Sequence, residues 1–201
     1  FLWIMRKVFS FLLLVSIMLA CQKGENDPAI SLISRKSRLS GQWMVRGFEG
    51  ESNGVKRSFD GSKMNYTVTD SITISRDYTW EFTFTKEGGY TSTTTENFPA
   101  DSIANRDPFL TTIISTGDWE FTGGNNTPNK SQLLLMTTEV QRTESDKSSN
   151  VNIVATENPM TGMVYNITGL SSKEMSLSYN EVISNAFGQS INSGELVLKK
   201  L

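Results

Sequence analysis

The chain of 201 residues carries one cysteine, Cys21, and no histidine. Without an imidazole there is no Ser-His-Asp triad, no Cys-His dyad and no histidine metal site, and the commonest general base is missing. Carboxylates, lysines and hydroxyls remain. Counted by twos, Asp70 falls on the apolar face of Tyr66, Val68, Asp70, Ile72 and Ile74, and Glu181 on that of Met175, Leu177, Tyr179, Glu181 and Ile183. Two inward carboxylates make either a glycosidase-like acid and base pair or polar contacts to a ligand. A single bulge turns such a face outward, and Asp70 can equally open a strand at a turn. No Asp-x-Asp-x-Asp loop suggests calcium, and Gly88-Gly89 and Gly123-Gly124 read as hairpin glycines because no helix follows to complete a phosphate cradle. The expectation is a non-enzymatic protein with no catalytic residue, cofactor or metal.

Cys21 has a different chemistry, set by what precedes it. Met5-Arg6-Lys7 is a start followed by a positive segment, and residues 8–20 are apolar apart from Ser10 and Ser16. That run is shorter than the roughly 20 residues a bilayer span needs. Its end, Met18-Leu19-Ala20-Cys21, resembles the lipobox of bacterial lipoproteins, in which the cysteine becomes the lipidated first residue of the mature protein. The resemblance implies a signal peptide over 1–20 (5–20 if Met5 is the start), acylation of Cys21 and attachment to a membrane. Several acyl chains on one residue anchor durably where one chain binds marginally. Residues 21–38 form the tether, with a weak helical turn at 29–38. Within it, Gln22-Lys23-Gly24-Glu25-Asn26-Asp27 resembles the export signal that carries Bacteroidetes-type lipoproteins to the outer face of the outer membrane, or is simply a solvated linker.

Beyond the tether the period becomes two. In Tyr78-Thr79-Trp80-Glu81-Phe82-Thr83-Phe84-Thr85 every even residue is aromatic and every odd one polar, the pattern of a strand with one wet face. Further strands are expected near 42–49, 65–75, 89–97, 111–122, 131–140, 150–156, 162–168, 174–183 and 194–200, separated by glycine-, asparagine- and serine-rich turns. No helical period follows residue 40, so the fold class is all-β, eight to ten antiparallel strands in one domain over 39–201. A closed barrel and a sandwich are the two ways such a set hides its edges. With 19 basic and 21 acidic residues spread evenly, there is no basic field for nucleic acid.

Leu39-Ser40-Gly41-Gln42-Trp43 opens the first strand with Gly-x-Trp, and the spacing recurs at Gly117-Asp118-Trp119-Glu120-Phe121. Together with Tyr165-Asn166-Ile167-Thr168-Gly169-Leu170 and the final Leu196-Val197-Leu198-Lys199-Lys200, these segments resemble the lipocalin-like lipoproteins of the Bacteroidetes. The resemblance implies an antiparallel meander barrel over about 39–200. It makes Gly41, Trp43, Gly117 and Trp119 structural residues, which in a sandwich would be ordinary core aromatics and their neighbours. Asp70-Ser71-Ile72 and Asp101-Ser102-Ile103 resemble O-glycosylation sites of the same bacterial group, Ser102 the better placed.

Two roles stay open for such a domain. It can bind a small apolar or amphipathic ligand between Tyr78, Trp80, Phe82, Phe84 and their neighbours, with Asp70 and Glu181 as polar contacts. Alternatively it is an accessory lipoprotein whose filled barrel docks a protein or glycan partner. Either way its address is the outer membrane, held by lipid and facing the periplasm or the cell surface.

Overall fold

A computed structural model of the chain describes residues 33–52, 54–69, 72–100, 107–123, 131–146, 152–185 and 188–201. The signal segment, Cys21, Asp70, Ser71 and Ser102 lie outside these residues. A short helix, α1 (Arg35–Leu39), precedes β1 (Gly41–Ser52), β2 (Val55–Phe59), β3 (Lys63–Thr69), β4 (Ile72–Phe84) and β5 (Gly89–Phe98). After them come β6 (Phe109–Thr122), β7 (Gln132–Asp146), β8 (Asn152–Glu157), β9 (Thr161–Leu170), β10 (Glu174–Asn185) and β11 (Gly188–Lys200).

All the strands join one antiparallel sheet, and the β6–β7 pairing closes it on itself. Closure of a single sheet replaces the sandwich alternative by the meander barrel. At one end β1 pairs directly with β4, Trp43 opposite Phe82, and the ring runs β1, β4, β5, β6, β7, β9, β10, β11. At the other end the β2–β3 hairpin wedges between β1 and β4, so the ring takes in ten strands and widens. On the far wall the upper half of β7 pairs with β8, and beyond Ser178 the described pairings of β10 run to β11 alone.

Local chemistry explains the elements. Ser34 caps α1 by accepting the Ser37 amide at 3.1 Å, and Asp60 holds the β2–β3 turn by accepting from the Ser62 and Lys63 amides. Those donors keep the Asp60 carboxyl below its ordinary pKa. Gly88, at φ +114°, supplies the left-handed residue of the β4–β5 hairpin. The narrow end is solid: Leu39, Trp43, Val45, Leu133, Leu170, Met175 and Leu198 are fully buried, with Phe84 beside them. Helix α1 lies against that end, Arg38 donating to the Leu170 carbonyl at 2.7 Å and Lys36 standing 5.8 Å from the Trp119 ring.

Two expectations are corrected. Residues 65–75 are not one strand: β3 ends at Thr69 and β4 begins at Ile72, so Tyr66 and Ile74 are cross-strand partners rather than neighbours along a face. β4 then runs without a break through 76–77. The even-numbered series containing Asp70 therefore does not exist as a strand face, and Ile72 and Ile74, counted as core, are 54% and 43% exposed. The second correction is an unforeseen strand. β2 was not expected because Val55-Lys56-Arg57-Ser58-Phe59 has charges where a half-buried strand alternates; its pairing on both sides makes it a strand nonetheless.

Candidate functional site

The Gly-x-Trp motifs build the closed end. Trp43 is 0% exposed and donates Nε1–H to the Leu39 carbonyl at 2.6 Å, while the Lys200 ammonium sits 5.1 Å from its ring. Gly41 has φ +126°, and a Cβ there would stand 2.7 Å from Lys200 Cε. Trp119 packs edge-on to Phe84 and donates to the Thr85 carbonyl at 3.0 Å. Gly117 sits at a register shift of β6, where a Cβ would overlap the Met136 carbonyl.

From that end the register shows how the interior changes. The row Val45, Leu198, Met175, Leu170 is fully buried, and the next, Phe59, Phe48, Leu196, Leu177, Ile167, is buried and apolar. One pleat further, the inward row reads Tyr66, Arg57, Gly50, Gly194, Tyr179. Beyond it lie Ser52, Asn192 and Glu181, with Ser52 donating to Asn192 Oδ1 at 2.6 Å. Gly50 and Gly194 face each other because aromatic rings occupy the space above them. A Cβ on Gly50 would come within 2.6 Å of Phe48 Cζ, and one on Gly194 within 2.6 Å of Phe48 Cε2 and 2.8 Å of Tyr179 Cε1. Rings laid over cross-strand glycines cover bare backbone that would otherwise weaken the sheet.

Charge in this wide half is mostly paired. Arg76 and Glu96 form an ion pair at 2.8 Å, Tyr66 donates to the same Glu96 oxygen at 3.1 Å, and the Arg76 guanidinium lies 4.3 Å from the Phe98 ring. Arg142 and Glu144 pair at 2.7 Å. Arg57 differs. Its guanidinium is 5.9 Å from the Tyr66 ring, and among the described residues no carboxylate reaches it. Burial raises the pKa of Tyr66, Tyr78 and Tyr179. At Tyr179 the Arg57 charge opposes that rise and the Glu181 charge adds to it.

The expected site residues divide between the two halves. Phe82 and Phe84, 4% and 2% exposed and stacked at 5.7 Å, belong to the filled core and do not line a pocket. Trp80 marks the boundary: half-buried, it donates to Ser92 Oγ at 3.1 Å and meets Phe48 edge-on at 5.9 Å. Glu181 continues the alternation of Leu177 and Tyr179 along β10, opposite Asn192. Arg57, Arg76, Glu96, Arg142 and Glu144 were not foreseen. The available signal for Glu96 was the alternation Tyr90, Ser92, Thr94, Glu96, Phe98, aromatic at both ends with hydroxyls between.

Met136 of β7, Val164 of β9 and Val197 of β11 are exposed apolar residues, while outward positions of β4 and β5 are polar, Thr79, Glu81 and Thr83 on the first and Thr91, Thr93 and Thr95 on the second. A barrel that crosses a bilayer with its strands has the reverse pattern, an apolar outer band around a polar lumen. A cleft of about 820 Å3 spans β2, β1, β11 and β10, and its lining joins Gly50, Arg57, Gly194 and Tyr179 of the inward row to the outward Glu49 and Glu195.

No family model and no curated protein matches the chain. Among solved structures, the crystal structure of Ail, the attachment invasion locus protein of Yersinia pestis, aligns with 81% of this chain and 99% of that one at 8% identity. Its TM-score is 0.24, a level of similarity that bears on neither fold nor role.

Proposed function

We propose that this chain is a lipid-anchored lipoprotein of the outer membrane whose lipocalin-like barrel is a non-enzymatic binding module for a small amphipathic ligand. One observation carries the binding role: the interior passes within two pleats from a solid apolar floor to a mouth lined by Arg57, Tyr66, Tyr179 and Glu181. Pockets that hold small molecules join apolar walls to a few placed polar groups in this way. The anchor rests on Cys21 and the apolar run before it. Because the outward faces of β4 and β5 are polar, attachment falls to acyl chains rather than to the strands.

The tests are separate for anchor and ligand. Cys21→Ser should move the protein from the membrane fraction to the soluble one and abolish palmitate labelling; a variant that still pellets with membranes contradicts the anchor. Native mass spectrometry of wild-type protein taken from its own envelope should show a retained small molecule. A bare mass would favour the second reading, an accessory lipoprotein that docks a glycan or protein, with the outward Glu49, Glu51 and Glu195 of the same cleft as candidate contacts.

A further inference from the structure

We infer that the ligand of the barrel mouth is an anionic amphiphile, its head on the Arg57 guanidinium beside Tyr179 and its apolar body toward Phe48 and Trp80. The inference rests on the binding-module reading and adds the ligand's charge to it.

Electrostatic bookkeeping of the interior points to Arg57. Arg76 is consumed by Glu96 at 2.8 Å and by the Phe98 ring, and Arg142 by Glu144 at 2.7 Å. Among the described residues Arg57 has only the face of Tyr66. It is exposed into the mouth, one pleat above the buried Phe59 on the same strand, so its charge stands where apolar wall and water meet. Gly50 and Gly194 separate it from Tyr179 on the inward row, the Phe48 ring covers both glycines, and guanidinium and phenol line one cleft across them. A guanidinium offers paired donors to a carboxylate or similar oxyanion, and the neighbouring phenol adds a third. Phe48, one pleat below on β1, and the half-buried Trp80 edge-on to it at 5.9 Å form the aromatic wall toward which the body of the ligand would run. Glu181, one pleat nearer the rim, opposes any second negative charge, so a single anionic group fits best.

Displacement of the neutral dye Nile red by dodecanoate and by dodecanol tests this, since the two share an alkyl body and differ in the charge of the head. With the wild-type protein, dodecanoate should displace the dye at about tenfold lower concentration than dodecanol, the scale of one charge-assisted contact. Arg57→Gln should bring the two together, and Glu181→Gln should widen the gap. A variant that merely loosened the fold would weaken both amphiphiles, so the opposite signs separate recognition from damage. Equal displacement by both in the wild type overturns the anionic head while leaving the binding module standing. If neither displaces the dye, or the dye does not bind, the module itself fails.

Discussion

At the scale of single residues the two tryptophans of the Gly-x-Trp motifs build the closed end of the barrel. Trp43 is fully buried, bonded to the Leu39 carbonyl and covered by Lys200, so Trp43→Ala should cost about 3–5 kcal/mol in denaturant melts. A cost near zero would mean that the closed end re-forms without it. These positions were legible because a large aromatic two residues after a glycine has few other uses at the start of a strand. Arg57 was illegible: an arginine between a lysine and a serine reads as solvated surface, and only the pairing of β2 with β1 and β3 turns it inward. The count to Glu181 runs along one strand, where Leu177 and Tyr179 alternate cleanly, whereas the count to Asp70 crosses the boundary between β3 and β4.

At the scale of elements β4 carries the gradient of the whole interior. Its inward residues pass from the buried Phe84 and Phe82 through the half-buried Trp80 and Tyr78 to Arg76. Phe82→Ala should therefore destabilise by about 3–5 kcal/mol with little effect on dye binding, while Trp80→Ala should cost less stability and more dye affinity. Paired melts and titrations of both variants check this, and the reverse order would place the pocket at the wrong end. The alternation that made β4 visible is strong because aromatic and threonine residues differ so much in burial. β2 offers no such contrast. At its N-terminal end β1 is held by α1, and Ser34→Ala should cost about 1 kcal/mol through the lost cap.

At the scale of the molecule all five tyrosines, Tyr66, Tyr78, Tyr90, Tyr165 and Tyr179, face inward and have pKa values raised chiefly by burial. A raised phenol favours its protonated form in the fold. Its contribution is complete below the ordinary value of 10.0 and is lost as pH climbs through the folded value. Melting temperature should be flat near neutrality and fall above pH 10, with phenolate absorbance appearing in the same transition as loss of strand signal. Phenolate that titrated earlier, with the circular dichroism unchanged, would put the tyrosines in water. The barrel class was legible from strand number and the absence of helices; its two unequal ends were not, because they arise from where β2 and β3 leave the ring.

The pairing of β1 with β11 ties the order of synthesis to the order of folding. Trp43 meets Lys200 and Phe48 meets Leu196 across almost the whole described chain, and the Leu201 amide donates to the Gln42 carbonyl at 3.0 Å. The first strand made must wait for the last, so a nascent or partly exported chain has no barrel to form. Contacts so distant in sequence fold slowly, on the order of milliseconds to seconds for all-β domains, and leave aromatic faces such as that of β4 uncovered meanwhile. On the proposed export route this delay is an advantage, because a chain whose β1 still lacks β11 has no closed barrel to block threading.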